Sequence, residues 1–173
     1  VIGVTGMPEI KTGDQLGNII VDAAERQSTP ITSGDILVVT QKIVSKAEGR
    51  IVDLREVEPS ALARQVARKS GKNPRVVELV LRESRAIVRM DVARGIIITE
   101  TKHGFVCANA GIDASNVPGD SLVSLLPENP DLSARRIREE VYRALPGVVV
   151  AVIVSDTFGR SWREGQVNFA IGV

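Results

Sequence analysis

The sequence predicts an α+β fold with mixed sheets and flanking helices, and three observations lead there. Residues 86–108 carry three short apolar runs separated by turns, a density of strands that a regular βαβ array does not have. Two stretches, residues 59–81 and 133–145, have helical spacing of apolar side chains between recognisable caps. One run, Val148 to Val154, is apolar and largely β-branched, is preceded by Pro146-Gly147, and ends in Ser155-Asp156-Thr157. Such a run predicts a strand buried on both faces.

From the amino end, Val1-Ile2-Gly3-Val4 reads as a short strand, broken at Gly6-Met7-Pro8. Asp14 is placed to cap a helix with Leu16, Ile19, Ile20, Ala23 and Ala24 on one face. Ser33-Gly34-Asp35 turns into the apolar strand Ile36–Thr40, and a polar stretch from Gln41 to Arg50 follows. Pro59-Ser60 opens a helix with Leu62 and Val66 inward, closed by Gly71 in a left-handed conformation. Asn73 and Pro74 open a second helix carrying Val76, Val77, Val80 and Leu81.

The basic residues of this hairpin, Arg64, Arg68, Lys69, Lys72 and Arg75, read as a solvated face. In the meander that follows, Cys107 belongs to a strand pattern and His103 to the turn Lys102-His103-Gly104. Core and turn roles suit them better than catalysis. Ser121 to Leu126 is another strand. Ser133 then caps a helix with Ile137, Val141 and Leu145 inward, and Leu132 stapled onto Ile137.

Composition narrows the function. Lys plus Arg number 22 against 21 Asp plus Glu, a net charge of +1, so no whole-surface field draws nucleic acid or an anionic membrane. Aromatic residues are 3% of the chain, too few for base-stacking platforms. One cysteine and one histidine rule out thiolate or imidazole metal centres, so any metal must be a hard cation held by oxygen. The single cysteine also suits a reducing cytoplasm. No apolar stretch is long enough to span a membrane as a helix. The chain starts with Val1 and stops in the apolar run Asn168–Val173, which predicts a piece of a longer protein.

Phosphate-binding loops of the Gly-x-x-x-x-Gly-Lys and Gly-x-Gly-x-x-Gly types are absent, as is a nucleophile elbow. What remains is a set of polar segments attached to strong strands. Lys42 and Lys46 follow the strand ending at Thr40 and suit phosphate oxygens. Asp113 and Asn116 sit in a loop of small residues after the meander. Asp156 and Thr157 end the Val148 run. Singly, each is more often a turn cap or a solvated lysine. Together they describe two carboxylates and a hydroxyl around divalent cations at a nucleotide site.

Three segments, Val44-Ser45-Lys46-Ala47-Glu48-Gly49-Arg50, Asn109-Ala110-Gly111-Ile112-Asp113-Ala114-Ser115-Asn116 and Ser155-Asp156-Thr157-Phe158-Gly159-Arg160, closely resemble the motifs of the coenzyme F420-0:L-glutamate ligase family. Gly6-Met7-Pro8-Glu9-Ile10 and Phe169-Ala170-Ile171-Gly172 fit the same family, and all five occur in its order. The resemblance implies a two-lobed ligase-type fold. It also implies GTP-dependent addition of L-glutamate to F420-0, then of a γ-linked glutamate, through an acyl phosphate.

It further implies Asp113, Asp156 and Thr157 as metal ligands, and Met7, Pro8, Glu9, Ile10, Gln41, Lys42, Lys46 and Asn116 as GTP contacts. Gln41 stands where relatives often carry a hydroxyl residue. Implied cofactors are two divalent cations, Mg²⁺ or Mn²⁺, with a monovalent cation such as K⁺ a further candidate. The implied assembly is a homodimer acting on small molecules, without nucleic acid or membrane. Residues 1–173 then form an incomplete ligase domain whose C-terminal part lies outside this chain. Two alternatives accompany this reading: the ligase half of a fusion with a flavin-dependent reductase, and a non-catalytic nucleotide-binding fragment.

Overall fold

Five α-helices and eight strands in three sheets make up the α+β architecture of the described residues, which a computed structural model gives as 1–113, 121–159 and 165–173. In chain order they are α1 (Leu16–Arg26), β1 (Ile36–Thr40), α2 (Gln41–Ala47), β2 (Ile51–Asp53), α3 (Ala61–Ser70) and α4 (Pro74–Arg82). Then come β3 (Ser84–Asp91), β4 (Ile96–Thr101), β5 (Val106–Ala108), β6 (Leu122–Ser124), α5 (Pro130–Ala144), β7 (Ala151–Gly159) and β8 (Gln166–Gly172). Among these, no helix is long and apolar enough to cross a membrane. The chain divides into two compact units: Val1–Arg50 with Pro127–Asp156 and Asn168–Val173, and Ile51–Leu126 with Thr157–Val167.

In the first unit β1 pairs in parallel with β7, Ile36 opposite Ala151 through Thr40 opposite Ser155. β7 is the central strand of the sheet β1-β7-β8. Its cover is uneven: Val152, Val154 and Phe158 are buried, Ile153 and Ser155 are half-buried and Ala151 and Thr157 exposed, and Ile36 and Val38 on neighbouring β1 are more than half exposed. The apolar run therefore marks a central strand without marking cover on both sides. α1 packs on α5 so closely that a Cβ on Gly17 would stand 2.4 Å from Glu140 Cβ. Glu140 reaches back to accept a hydrogen bond from the Gly17 amide at 2.7 Å, satisfying a donor at the start of α1.

Several local expectations are corrected here. Val1–Val4 has no partner strand among the described residues; instead the Gln27 side chain takes the Thr5 amide at 2.8 Å and donates to the Gly3 carbonyl at 3.0 Å. Gln15, not Asp14, occupies the N-cap of α1, and Asp14 accepts from the Lys11 amide at 2.7 Å. The polar stretch after Thr40 is helix α2. α5 starts a turn earlier than Ser133, with Asn129 as N-cap and Pro130 in its first turn, because proline's missing donor costs nothing there. Leu132 is 40% exposed and lies within the first turn of α5 rather than ahead of its cap, and α5 ends at Ala144, before Leu145.

The second unit holds the helical hairpin and the meander. Ser60 caps α3 by accepting from the Ala63 amide, Gly71 closes it at φ +71°, and Asn73 with Pro74 starts α4. Leu62 points outward; Ala63, Val66 and Ala67 form the inner face, packed with Val77, Val80, Ile97 and Ala110. The sheet order is β3-β4-β5, all antiparallel, with Cys107 buried on β5. His103 sits in the β4–β5 turn. β2 pairs with β6 over a second cluster of Leu54, Val57, Leu79, Val123 and Leu125.

Candidate functional site

Parallel pairing runs β1 and β7 in the same direction, and β1 ends level with Ser155 while β7 continues to Gly159. Thr40 stands opposite Ser155, so the chain enters α2 at Gln41 where β7 presents Asp156. Ligands of parallel sheets gather outside such carboxyl ends. Asp156 is half-buried and Thr157 exposed. Alternation along β7 sends Asp156 to the face of Val152, Val154 and Phe158, and Thr157 to the other, so the two side chains do not converge from the strand alone.

The segment from Met7 to Ile10 belongs to the same unit. Ile10 is buried and anchors it, while Glu9 is exposed and its carboxylate lies 2.6 Å from Lys46 Nζ on α2. Two further bonds tie this strap to the helix: the Gly13 amide to the Ala47 carbonyl at 2.8 Å, and the Thr12 hydroxyl to the Lys46 carbonyl at 3.3 Å. Lys46 therefore ends in an ion pair at the surface, with its stem covered. Lys42 is half-buried one turn earlier. Gln41 is 1% exposed, its side-chain oxygen accepting from the buried Ser45 hydroxyl at 3.0 Å. A buried amide must be paired, and its oxygen is used inside α2.

Asp113 lies in the second unit. Its backbone forms a two-way bridge with Ser124, the Asp113 amide donating at 3.1 Å and the Ser124 amide at 2.8 Å, and the Ser124 hydroxyl adds a bond of 3.3 Å to the same Asp113 carbonyl. Asn116 lies outside the described residues. The donor set is oxygen throughout, which suits Mg²⁺ or Mn²⁺. Among the described residues no three His, Cys, Asp or Glu side chains cluster to hold an ion, so phosphate oxygens would have to complete any shell.

Three arrangements carry no sequence signal. A cleft of about 480 Å³ in the first unit is lined by Asp14, Glu48, Arg50, Glu128, Arg136 and Glu140 over an apolar floor. Ser133 donates to Glu48 across it at 2.6 Å. In the second unit, Glu78 of α4 accepts from the Ser60 amide at 2.9 Å and from Arg82 at 2.8 Å. The Ser60 hydroxyl first, then the Ser60 amide, then Arg82 hold its carboxyl down to about 2 against the opposing effect of burial. Finally, Asn109, Ala110 and Gly111, just ahead of Asp113, all have left-handed φ, at 52°, 55° and 70°. Asn and Gly accept this readily, but an alanine there costs about 1–3 kcal/mol.

The family model described as F420-0:Gamma-glutamyl ligase matches residues 5–173. Coenzyme F420:L-glutamate ligase of Methanothermobacter thermautotrophicus is 48% identical over 172 residues, 99% of this chain and 67% of the relative. The protein of that name from Methanopyrus kandleri is 48% identical over 164 residues, 95% of this chain and 62% of its own length. That from Methanocaldococcus jannaschii is 45% identical over 173 residues, 100% and 66% respectively. The chain thus spans about two thirds of the length of the curated relatives it matches.

Proposed function

The chain belongs to the F420-0:gamma-glutamyl ligase family, and on that premise we propose that its protein ligates L-glutamate to coenzyme F420-0, and then a γ-linked glutamate, at the expense of GTP. The observation that carries the proposal is 48% identity to a coenzyme F420:L-glutamate ligase across 99% of the chain. In the proposed reaction the acceptor carboxylate of F420-0 takes the γ-phosphoryl group of GTP, giving an acyl phosphate and GDP. The glutamate amine then attacks the acyl carbon, phosphate leaves, and the nitrogen loses a proton. One amide bond forms for each GTP consumed.

The residues would divide the work by chemistry. Lys42 and Lys46 supply point charges for phosphate oxygens, and Lys46 would exchange or share its Glu9 partner on nucleotide binding. Asp113, Asp156 and Thr157 would hold divalent cations that neutralise phosphate charge when bound. Asp156 and Thr157 stand on opposite faces of β7, so they would contribute a carboxylate and a neutral oxygen from two sides of the strand. Ordering two reactants and a nucleotide at one sheet edge is the main catalytic contribution such a site can make. A cytoplasmic location and a homodimer are part of the same reading, and the exposed apolar side chains of Ile36 and Val38 support the dimer.

The first test is calorimetry of GTP with Mn²⁺ or Mg²⁺, followed by incubation with F420-0 and L-glutamate and mass spectrometry of the product. Metal-dependent GTP binding and a product heavier by one glutamate are expected. GTP binding indifferent to metal would overturn the assignment of Asp113 and Asp156.

A further inference from the structure

Lys72 reads from the sequence as one more charge on a solvated helix face, and its position says otherwise. It stands between α3 and α4, half-buried, with its stem against Gly95: a Cβ on that glycine would lie 3.4 Å from Lys72 Cε. Its ammonium donates to Asn109 Oδ1 at 3.1 Å. Asn109 begins the left-handed turn that leads to Asp113.

That turn is held on several sides. The Ile112 amide returns to the Asn109 carbonyl at 3.0 Å. Ala110 is 2% exposed and packed in the helical core, so its strained φ cannot relax outward. Gly111 runs so close to Leu126 that a Cβ would sit 2.9 Å from its side chain. Downstream, Ser124 grips both backbone groups of Asp113. Non-glycine residues stay left-handed only where their surroundings over-determine them, and such places concentrate at working sites.

We propose that Lys72 is a positioning residue: its ammonium on Asn109 fixes the Asn109–Gly111 turn and thereby the direction in which Asp113 is presented. The inference rests on the proposed role of Asp113 as a metal ligand. Charge is not its purpose at the surface; a donor at that point in space is. The amide oxygen of Asn109, a side chain that also tolerates left-handed φ, makes it a suitable partner.

K72M keeps the stem that packs on Gly95 and removes the donor. N109G keeps the left-handed φ without strain and removes the acceptor. Amide exchange of Asp113 and Ile112 in each is expected to speed up about tenfold, the loss of one charge-assisted hydrogen bond, while exchange in α4 stays unchanged. Calorimetry at saturating Mn²⁺ is expected to show GTP binding about tenfold weaker in both variants, with K72R closer to the parent. Unchanged exchange at Asp113 overturns the clamp. Faster exchange with unchanged Mn²⁺-dependent GTP affinity leaves a clamp that serves stability alone and overturns the positioning role. A parent protein whose GTP binding ignores Mn²⁺ overturns the metal reading of Asp113, and with it the positioning role, whatever the exchange data show of the clamp.

Discussion

Replacing Glu78 by Gln should lower stability at neutral pH and leave it nearly unchanged in strong acid. Glu78 is 8% exposed and ties α4 to the start of α3 through the Ser60 amide, with Arg82 on its other oxygen. Its carboxyl is held from 4.5 down to about 2. A displacement of that size corresponds to roughly 3 kcal/mol at 1.36 kcal/mol per unit. Arg82 is half exposed, and water screens its part, which reduces the figure to about 2 kcal/mol. The sign follows from the direction. A depressed carboxyl contributes fully above the unfolded value near 4.5 and loses its contribution as pH falls towards 2. The amide of the E78Q variant lacks the titration but keeps the shape. Urea unfolding of both proteins between pH 2 and 7 should show a gap of about 2 kcal/mol at pH 7, narrowing below pH 4.5. A gap that stays constant across the range would assign Glu78 to packing and refute the electrostatic account.

Other outcomes follow from the same geometry. G17A should destabilise by about 1–3 kcal/mol in urea unfolding, because its methyl group would overlap Glu140 and the backbone of α5; a neutral variant would mean α1 and α5 can part freely. D156N should abolish ligation and move the urea midpoint only slightly, since Asp156 is half-buried and the amide keeps its shape; turnover retained in a glutamylation assay would remove it from the metal site. K46A should weaken GTP binding about tenfold and leave F420-0 binding alone, the loss of one charge-assisted phosphate contact; equal losses would make Lys46 a structural partner of Glu9.

What could be read from the chain alone depended on how local the governing physics is. The start of α4 was legible to the residue because Asn73 caps it and Pro74 suits its first position. α5 was not, because Asn129 and Ser133 can each cap; the hydroxyl of Ser133 serves Glu48, 85 residues away, and nothing near Ser133 announces it. The Val1–Val4 run had strand propensity but pairs with no strand among the described residues. The Val148 run reported the central strand of a sheet but could not report that Ile36 and Val38 on neighbouring β1 are more than half exposed.

Asp156 and Thr157 stood out by their types, since an acid and a hydroxyl seldom follow a run of apolar residues inside a core, although β7 runs on through both to Gly159. Gln41 shows the limit of that logic. It has a suitable type at a suitable edge, yet its side chain is turned inward to Ser45. The left-handed alanine shows it more strongly. Glycine or asparagine announces positive φ by its identity, whereas Ala110 announces nothing, because alanine is held there only by what surrounds it. The residues that do the holding, Lys72 and Leu126, are distant from the turn in sequence and meet it only in the folded unit. Strain of this kind is legible only after folding, so the motif around Asp113 shows in the sequence while the contacts that hold the turn before it do not.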